Sequence, residues 1–248
     1  MNDSEARTTA GSQQVDLNAD LGEGCPNDRA LLGLVTSTSV CCGAHAGSPE
    51  VMRQTLRMAC ARGVVIGAHP GYPDREGFGR REQDISAEDC RRLIIEQVGV
   101  LEALAAELGA PIRFLKPHGA LYNQAQRQPG IASGVVAAAA ELRLPLLGQP
   151  GTLLERLAIE QGVGYIAEGF PDRRYRADGS LVPRSEPNAI LHDRDEREAQ
   201  LLRLVAEGRV ATLCIHGDDP RAVANAELVR DVLGRHGIVI RSFLDTAG

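Results

Sequence analysis

Four of the six histidines follow one local pattern along the chain. Each closes a short apolar run and is followed within two residues by glycine, in the segments CCGAHAG, VIGAHPG, LKPHGA and LCIHGDD. They are His45, His69, His118 and His216. The carboxyl ends of parallel strands lie on one face of an α/β fold, where active sites form. We therefore expect the four imidazoles to meet at one catalytic site.

The first apolar run, VDLNADLGEG, carries acids and an amide. Side chains alternate along a strand, so Asp16, Asn18 and Asp20 share one face and Glu23 follows in the next loop. Buried charge is costly unless it is paired, so several such groups on one inner face indicate a functional site. Asp16 and Asp20 are predicted as catalytic residues, and Asn18 and Glu23 as substrate-binding residues.

Lys116 is the only lysine among 27 basic residues and stands in the segment IRFLKPHGALYN. Strand alternation places it on the face of His118. An ammonium is compact and can lose its proton when buried, whereas a guanidinium stays charged. Lys116 is predicted to neutralise Asp16 or Asp20, or to bind an anionic substrate; the alternative is a lysine left by chance in an arginine-biased sequence. Tyr122, Asn123 and Asp218 are further substrate-binding candidates beside these histidines.

The carboxylate, imidazole and lysine groups could support two kinds of chemistry. They could bind a divalent metal that activates water, with Asp16, His45 and His69 as candidate ligands. They could also carry out acid–base catalysis without a metal. No HExxH or other tight local metal motif occurs in the sequence, and both possibilities stay open.

Two long Gly- and Pro-rich connections, residues 70–85 and 170–193, are predicted as loops over the site. Long loops inside a compact domain are usually functional lids or disordered. Both are rich in arginine, whose planar fork suits a carboxylate or a phosphate. We predict that Arg80 and Arg174 hold the substrate.

Eight apolar runs alternate with helical patterns and predict a parallel sheet, open or closed. The strands are predicted at residues 15–20, 38–45, 64–69, 113–118, 144–149, 164–169, 211–217 and 239–244. Ser48 with Pro49, Ser86 with Asp89, and Asp219 with Pro220 are predicted to begin helices. Residues 1–13 are predicted as a flexible tail and residues 14–248 as a single domain.

Composition excludes several classes of partner. The net charge of −6 argues against nucleic acid and anionic membranes, and no tryptophan is available to stack on bases. No apolar run approaches the roughly 20 residues of a membrane span. Six cysteines without a CxxC pair, and a polar start without a signal peptide, predict a cytoplasmic protein with free thiols. No GxxxxGK[ST] motif occurs, and Lys116 is the only lysine, so a Walker A loop is excluded.

Several blocks of the sequence resemble those of a known family, the LamB/YcsF family. They are VDLNADLGEG, CCGAHAGSPEVMRQT, GVVIGAHPGYPDREGFGRR, LKPHGALYN, DRRYRADGSLVPR and CIHGDDPRAV, in order from about Val15 to Phe243. The resemblance implies an irregular seven-stranded β/α barrel of the glycoside hydrolase/deacetylase type. It also implies the role of the A subunit in a bacterial ATP-dependent 5-oxoprolinase.

Such an enzyme opens 5-oxoproline to glutamate. The resemblance implies that ATP with Mg²⁺ is used at the level of a complex with two companion subunits, B and C. The residues themselves suggest that arginine and Lys116 hold the substrate carboxylate and phosphate charge, while Asp16, Asp20 or a histidine activates water and another histidine protonates the ring nitrogen. The alternatives are a metal-dependent amidase or deacetylase, and a substrate-binding subunit without catalysis.

Overall fold

The computed structural model describes residues 13–184 and 186–244. Eight strands run through this part of the chain. They are β1 (Gln14–Leu21), β2 (Ser37–Cys41), β3 (Val65–His69), β4 (Ile112–Leu115), β5 (Leu146–Gly148), β6 (Tyr165–Gly169), β7 (Thr212–His216) and β8 (Val239–Ile240).

The first seven strands close into a parallel barrel. Neighbours pair in the order β2-β3-β4-β5-β6-β7-β1, and β1 also pairs with β2, which closes the ring. The short β8 adds to the start of β1, where Gln14 pairs with Val239. The register shifts between Ile66 and Ala68 where β3 meets β4. The predicted seven-stranded β/α barrel is confirmed, and the sheet is closed rather than open.

Eight helices accompany the strands in the described residues. They are α1 (Asp28–Leu31), α2 (Pro49–Cys60), α3 (Ala87–Ala106), α4 (Gly119–Ala125), α5 (Pro129–Leu142), α6 (Leu153–Glu160), α7 (Arg194–Ala206) and α8 (Ala222–Arg235). None of these helices combines the length and the apolar character that crossing a membrane requires.

Two of the three predicted helix starts are confirmed. The Ser48 side chain accepts a hydrogen bond from the Val51 backbone N–H, and Ser86 does the same for Asp89. These bonds satisfy donors that the first helical turn leaves free. The third prediction is wrong: α8 begins at Ala222, and the Asp219 carboxylate closes a turn by accepting from the backbone N–H of Arg221.

Strand β1 shows how the barrel separates its two faces. Leu17, Ala19 and Leu21 belong to the main hydrophobic core, whereas Asn18 reaches Thr212 of β7 and Glu168 of β6 across the barrel interior. Apolar side chains thus alternate with polar ones that point into the barrel. The polar interior is buried, so its charges must be paired.

Several strands are shorter than predicted. β2 ends at Cys41 and β4 at Leu115, so His45 and His118 lie in the loops that follow rather than at the strand ends. The last strand contains only Val239 and Ile240. Glycine explains the early end of β2, because Gly43 has a φ of +88°, which ordinary residues rarely adopt.

The two predicted loops contain no helix in their described residues. Two isolated bridges, Arg173 with Ile190 and Tyr175 with Leu181, fold the second loop back on itself. Residues 1–12 of the predicted tail lie outside the described part of the chain. Gln13, also assigned to the tail, donates a hydrogen bond from its side chain to the Val205 carbonyl oxygen.

Candidate functional site

A cavity of about 420 Å³ opens at the carboxyl ends of the barrel strands. Most of the predicted site residues line it, namely Asp20, Glu23, His69, Arg80, Lys116, His118, Tyr122, Asn123, His216 and Asp218. Both long loops contribute to its wall, the first through Arg80 and the second through Phe170, Arg173 and Arg184. The predicted convergence of His69, His118 and His216 is therefore present.

Lys116 lies at the floor of this cavity, between two buried carboxylates. Its Nζ is 2.8 Å from Asp20 Oδ1 and 2.7 Å from Glu168 Oε1, and it also contacts Asn18 and Cys214. Burial opposes its charge, but Asp20 and the other negative partners raise the pKa of Lys116 well above its usual range. The ammonium is charged and its donors are occupied.

The Asp20 carboxylate is ionised because a positively charged group lies beside it, just as negative groups keep Lys116 charged. Burial alone would raise its pKa, but the positive charge of His69, when that ring is protonated, and of Lys116 lowers the pKa of Asp20 well below its usual range. A carboxylate held this way is a poor general base, because it has little tendency to take a proton. Its second oxygen, Oδ2, lies 3.6 Å from His69 Nε2.

Glu168, a central partner of Lys116, was not predicted from the sequence. It is fully buried on β6, where Asn18 Nδ2 donates to its Oε1 at 3.0 Å. The segment GYIAEG contained the signal, because an acid near the end of a buried strand needs a partner inside the barrel. Asn18 does not line the cavity; it orients Glu168 and donates to Thr212.

Asp16 lies outside the cavity, contrary to the expected grouping with the catalytic residues. It accepts hydrogen bonds from the hydroxyls of Thr36 at 2.7 Å, Ser37 at 2.7 Å and Thr212 at 2.5 Å. Burial raises the pKa of Asp16 to about 6. Strand alternation correctly placed Asp16 on the inner face. It lies near the start of β1, however, and is therefore too far from the carboxyl end of the strand to reach the cavity.

His69 and His118 face each other at 3.0 Å through Nε2 and Nδ1. The other nitrogen of each ring donates to a backbone carbonyl at 2.8 Å, that of Lys116 for His69 and that of Phe78 for His118. Burial lowers the pKa of His69 to about 4 and, together with the neighbouring histidines, lowers that of His118 well below its usual range. Both rings are therefore neutral near neutral pH.

His45 supports this pair without lining the cavity. Its ring stacks on His118 with centroids 3.7 Å apart and planes 1° from parallel, and its Nε2 donates to Glu23 Oε1 at 3.1 Å. Burial lowers the pKa of His45 to about 3. His45 therefore positions Glu23 and His118, a role that its sequence pattern did not separate from catalysis.

Two glycines allow the first loop to cover the stacked rings. A Cβ atom at Gly71 would lie 2.8 Å from His45 Nδ1, and one at Gly79 would lie 2.9 Å from His118 Cδ2. Either contact is too close for a real side chain, so the loop backbone can approach the imidazoles only through glycine.

His216 has a different environment from the other three histidines. Its Nδ1 lies 3.3 Å from Asp172 Oδ2, and its ring stacks on Phe170 with centroids 5.5 Å apart. The Asp172 carboxylate is buried, and His216 nevertheless lowers its pKa. Because Nδ1–H donates to this carboxylate, the Nε2 atom of a neutral ring is left to accept a proton. The pair has the form of an acid–base dyad.

Three arginines reach the cavity, and Arg174 is not among them. Arg80 and Arg184 both pair with Asp218, and Arg80 also lies over the Phe78 ring at 4.9 Å. Arg173 is buried and donates to the carbonyls of Val182 and Ala189. Arg174 faces Glu196 on the outer surface. The sequence could not separate Arg173 from Arg174, since a loop has no regular alternation.

Two groups of side chains in the described residues bring potential metal ligands within 4.8 Å of one another. One contains Glu23, His69 and His118, and the other contains Asp20, Cys214 and His216. Asp16 belongs to neither group. The predicted ligand set of Asp16, His45 and His69 is therefore not brought together, although His69 takes part in the first group.

The sequence and the fold have known counterparts. The sequence model of the LamB/YcsF family matches residues 15–248 of this chain. The A subunit of 5-oxoprolinase from Neisseria meningitidis serogroup C is 45% identical over 242 residues, which cover 92% of this chain and 99% of that protein. The protein of the same name from serogroup B is 44% identical, with the same coverage.

Solved structures agree with these relatives. The crystal structure of the lactam utilization protein from Thermus thermophilus has a TM-score of 0.86 and 39% identity, covering 93% of this chain and all of that one. The catalytic domain of a peptidoglycan N-acetylglucosamine deacetylase from Eubacterium rectale has a TM-score of 0.52 and 11% identity, covering 94% and 90% of the two chains. This second likeness concerns the fold alone.

Proposed function

The chain belongs to the LamB/YcsF family, and from this membership we propose that it is the ring-opening subunit of an ATP-dependent 5-oxoprolinase complex of the cytoplasm. The names of the relatives support this proposal, since they are called the A subunit of 5-oxoprolinase and lactam utilization protein. The proposed substrate is 5-oxoproline, and the proposed product is glutamate. The proposed partners are two companion subunits, B and C.

The observation that carries the proposal is the His216–Asp172 pair in a cavity with arginines in its wall. A volume of about 420 Å³ lies within the range of small-molecule sites. The arginines suit the carboxylate of 5-oxoproline and a phosphoryl group on its ring oxygen. The histidine dyad supplies a base for water.

The proposed reaction begins when the terminal phosphoryl group of ATP, bound with Mg²⁺ elsewhere in the complex, is transferred to the lactam oxygen and ADP leaves. An unstrained lactam resists water, and this step makes its ring carbon electrophilic. The oxygen of one water then bonds to the carbon, the ring carbon–nitrogen bond breaks, and the nitrogen takes a proton. A second water hydrolyses the resulting acyl phosphate to glutamate and inorganic phosphate.

His216 is the proposed general base. Its Nε2 takes the proton of the attacking water, and Asp172 stabilises the imidazolium that forms. His216 then returns this proton to the ring nitrogen as the carbon–nitrogen bond breaks. The remaining proton of that water leaves to solvent as the carbonyl group of the acyl phosphate forms.

Tyr122 is the proposed hydrogen-bond donor to the substrate. It lines the cavity, and its buried hydroxyl has no partner among the described residues. Burial, and then the negative charge of Glu168, raise the pKa of Tyr122 well above its usual range, which keeps the hydroxyl protonated. An unpaired buried donor is costly unless a ligand satisfies it. Lys116 is paired with Asp20 and Glu168 and therefore holds the floor of the cavity rather than the substrate.

The test is glutamate release from 5-oxoproline by the chain mixed with its two companion subunits, with each of the three proteins and ATP omitted in turn. We expect release only when all three proteins and ATP are present. Release by the chain alone without ATP would refute the proposal and would favour the metal-dependent amidase.

A further inference from the structure

The facing nitrogens of His69 and His118 cannot form a hydrogen bond with each other when both rings are neutral. A ring nitrogen 2.8 Å from a carbonyl oxygen must carry a proton, because the oxygen can only accept. His69 Nδ1 and His118 Nε2 both meet that condition. If both rings are neutral, His69 Nε2 and His118 Nδ1 present lone pairs to each other across 3.0 Å. Only a cation between or beside them, a metal ion or a proton, relieves this repulsion.

Two carboxylates complete the surroundings of these nitrogens. Glu23 Oε1 lies 3.4 Å from His118 Nδ1 and 4.0 Å from His69 Nε2, and Asp20 Oδ2 lies 3.6 Å from His69 Nε2. His69 is 1% exposed, and Glu23 and His118 are almost as buried. Four ligand atoms thus face one small, largely buried region of the cavity wall.

The outer contacts of these side chains match those of metal ligands. A ligating histidine usually donates its other N–H to a carbonyl or carboxylate, which fixes the tautomer and the ring orientation. His69 and His118 both do so. The Glu23 carboxylate is likewise fixed by the N–H of His45.

The second group of potential ligands is already occupied by a cation. Lys116 Nζ lies 2.8 Å from Asp20 Oδ1 and 3.0 Å from Cys214 Sγ. A divalent ion among Asp20, Cys214 and His216 would be repelled by this ammonium.

We propose that His69 Nε2, His118 Nδ1 and Glu23, with Asp20 beside them, bind one divalent first-row transition metal ion. With metal–nitrogen bonds of about 2.1 Å, the nitrogen separation gives an angle near 90° at the ion. Such an angle suits octahedral coordination by two imidazoles and carboxylates more than a tetrahedral site. An ion bound there would lower the pKa of a coordinated water.

Binding of Co²⁺ to the metal-free chain tests this inference, independently of any activity. A Cys60→Ser background removes the exposed thiol, which could bind cobalt by itself. Calorimetry should give one Co²⁺ per chain, with weak visible absorption typical of five or six nitrogen and oxygen ligands. Zn²⁺ should compete for the same site and raise the melting temperature.

Matched variants locate the ion. His118→Gln and Glu23→Gln should each weaken Co²⁺ binding by at least about tenfold, whereas Cys214→Ser, which alters only the second group, should leave it unchanged. No saturable binding of Co²⁺ or Zn²⁺ by the wild-type chain would overturn the proposal in favour of a shared proton. An intense sulfur-to-cobalt absorption band that Cys214→Ser abolishes would overturn it in favour of the second group.

Discussion

Lys116 Nζ lies 2.7 Å from Glu168 Oε1 inside the barrel, and neither side chain has appreciable contact with solvent. Asp20 binds the same ammonium from the other side. One cation therefore holds two carboxylates from β1 and β6 at the floor of the cavity. This arrangement explains why the single lysine is placed here: an ammonium fits among the four neighbouring groups of Asp20, Glu168, Asn18 and Cys214, where a guanidinium fork would not.

Lys116→Met should destabilise the protein by about 3–5 kcal/mol, because it leaves two buried carboxylates without their cation. Glu168→Gln removes one of these charges, so the double variant should lose less than the sum of the single losses. Urea unfolding of the four proteins measures this coupling. Strictly additive losses would mean that the two side chains do not interact.

Asp16→Asn should change stability with pH but keep the activity. The folded-state pKa of Asp16 is raised from 3.8 to about 6, so the fold favours the protonated form. Its contribution is full below the unfolded pKa and is lost as pH rises through the folded pKa, on the order of 3 kcal/mol in total.

The measurement is the unfolding free energy of wild type and Asp16→Asn between about pH 4 and pH 7. Wild type should lose stability relative to the variant over this range. The complex containing the variant should still release glutamate, because Asp16 does not line the cavity. A complete loss of turnover in a stable variant would restore Asp16 to the catalytic group.

Asp172→Asn should lower kcat by about a hundredfold, because His216 Nδ1 loses the carboxylate that fixes its tautomer and stabilises its protonated form. If the two residues act as one unit, adding Asp172→Asn to His216→Asn should cause little further loss. Steady-state rates of the reconstituted complex give both values. Multiplicative losses would show that Asp172 acts separately from His216.

Arg184→Ala should raise KM for 5-oxoproline by about tenfold or more, the expected effect of losing one charge-assisted hydrogen bond. Arg174→Ala is the matched control, because Arg174 pairs with Glu196 outside the cavity. Its kinetics should resemble wild type. The opposite ranking would mean that the second loop adopts another arrangement when substrate binds.

The apolar runs predicted a parallel sheet well because its strands are buried and carry a clear signal, whereas the closed seven-stranded barrel was implied by the family resemblance. The spacing of apolar runs and glycines located all eight strands, and the inner face of β1 followed from alternation. Prediction failed where no periodicity applies. Arg173 and Arg174 are neighbours in a loop, and only the fold shows which one enters the cavity.

Residue partners were harder to predict than residue positions. His45, His69 and His118 have similar local sequences, yet the first stacks on the third and does not line the cavity. Glu168 and Asp172 were missed because the role of each depends on a partner distant in sequence. Glu168 pairs with Lys116, and Asp172 pairs with His216. Such pairings depend on the closure of the barrel, which local patterns do not contain.

The most direct test of the central claim is glutamate release by a complex that contains the His216→Asn chain, with assembly checked by size-exclusion chromatography. The control is His236→Asn, an exposed histidine that does not line the cavity. If this cavity opens the ring, the His216 variant should assemble and lose glutamate release by at least about a hundredfold, while the control keeps it. Unchanged release by the intact His216→Asn complex would contradict the account and give a non-catalytic role to this protein.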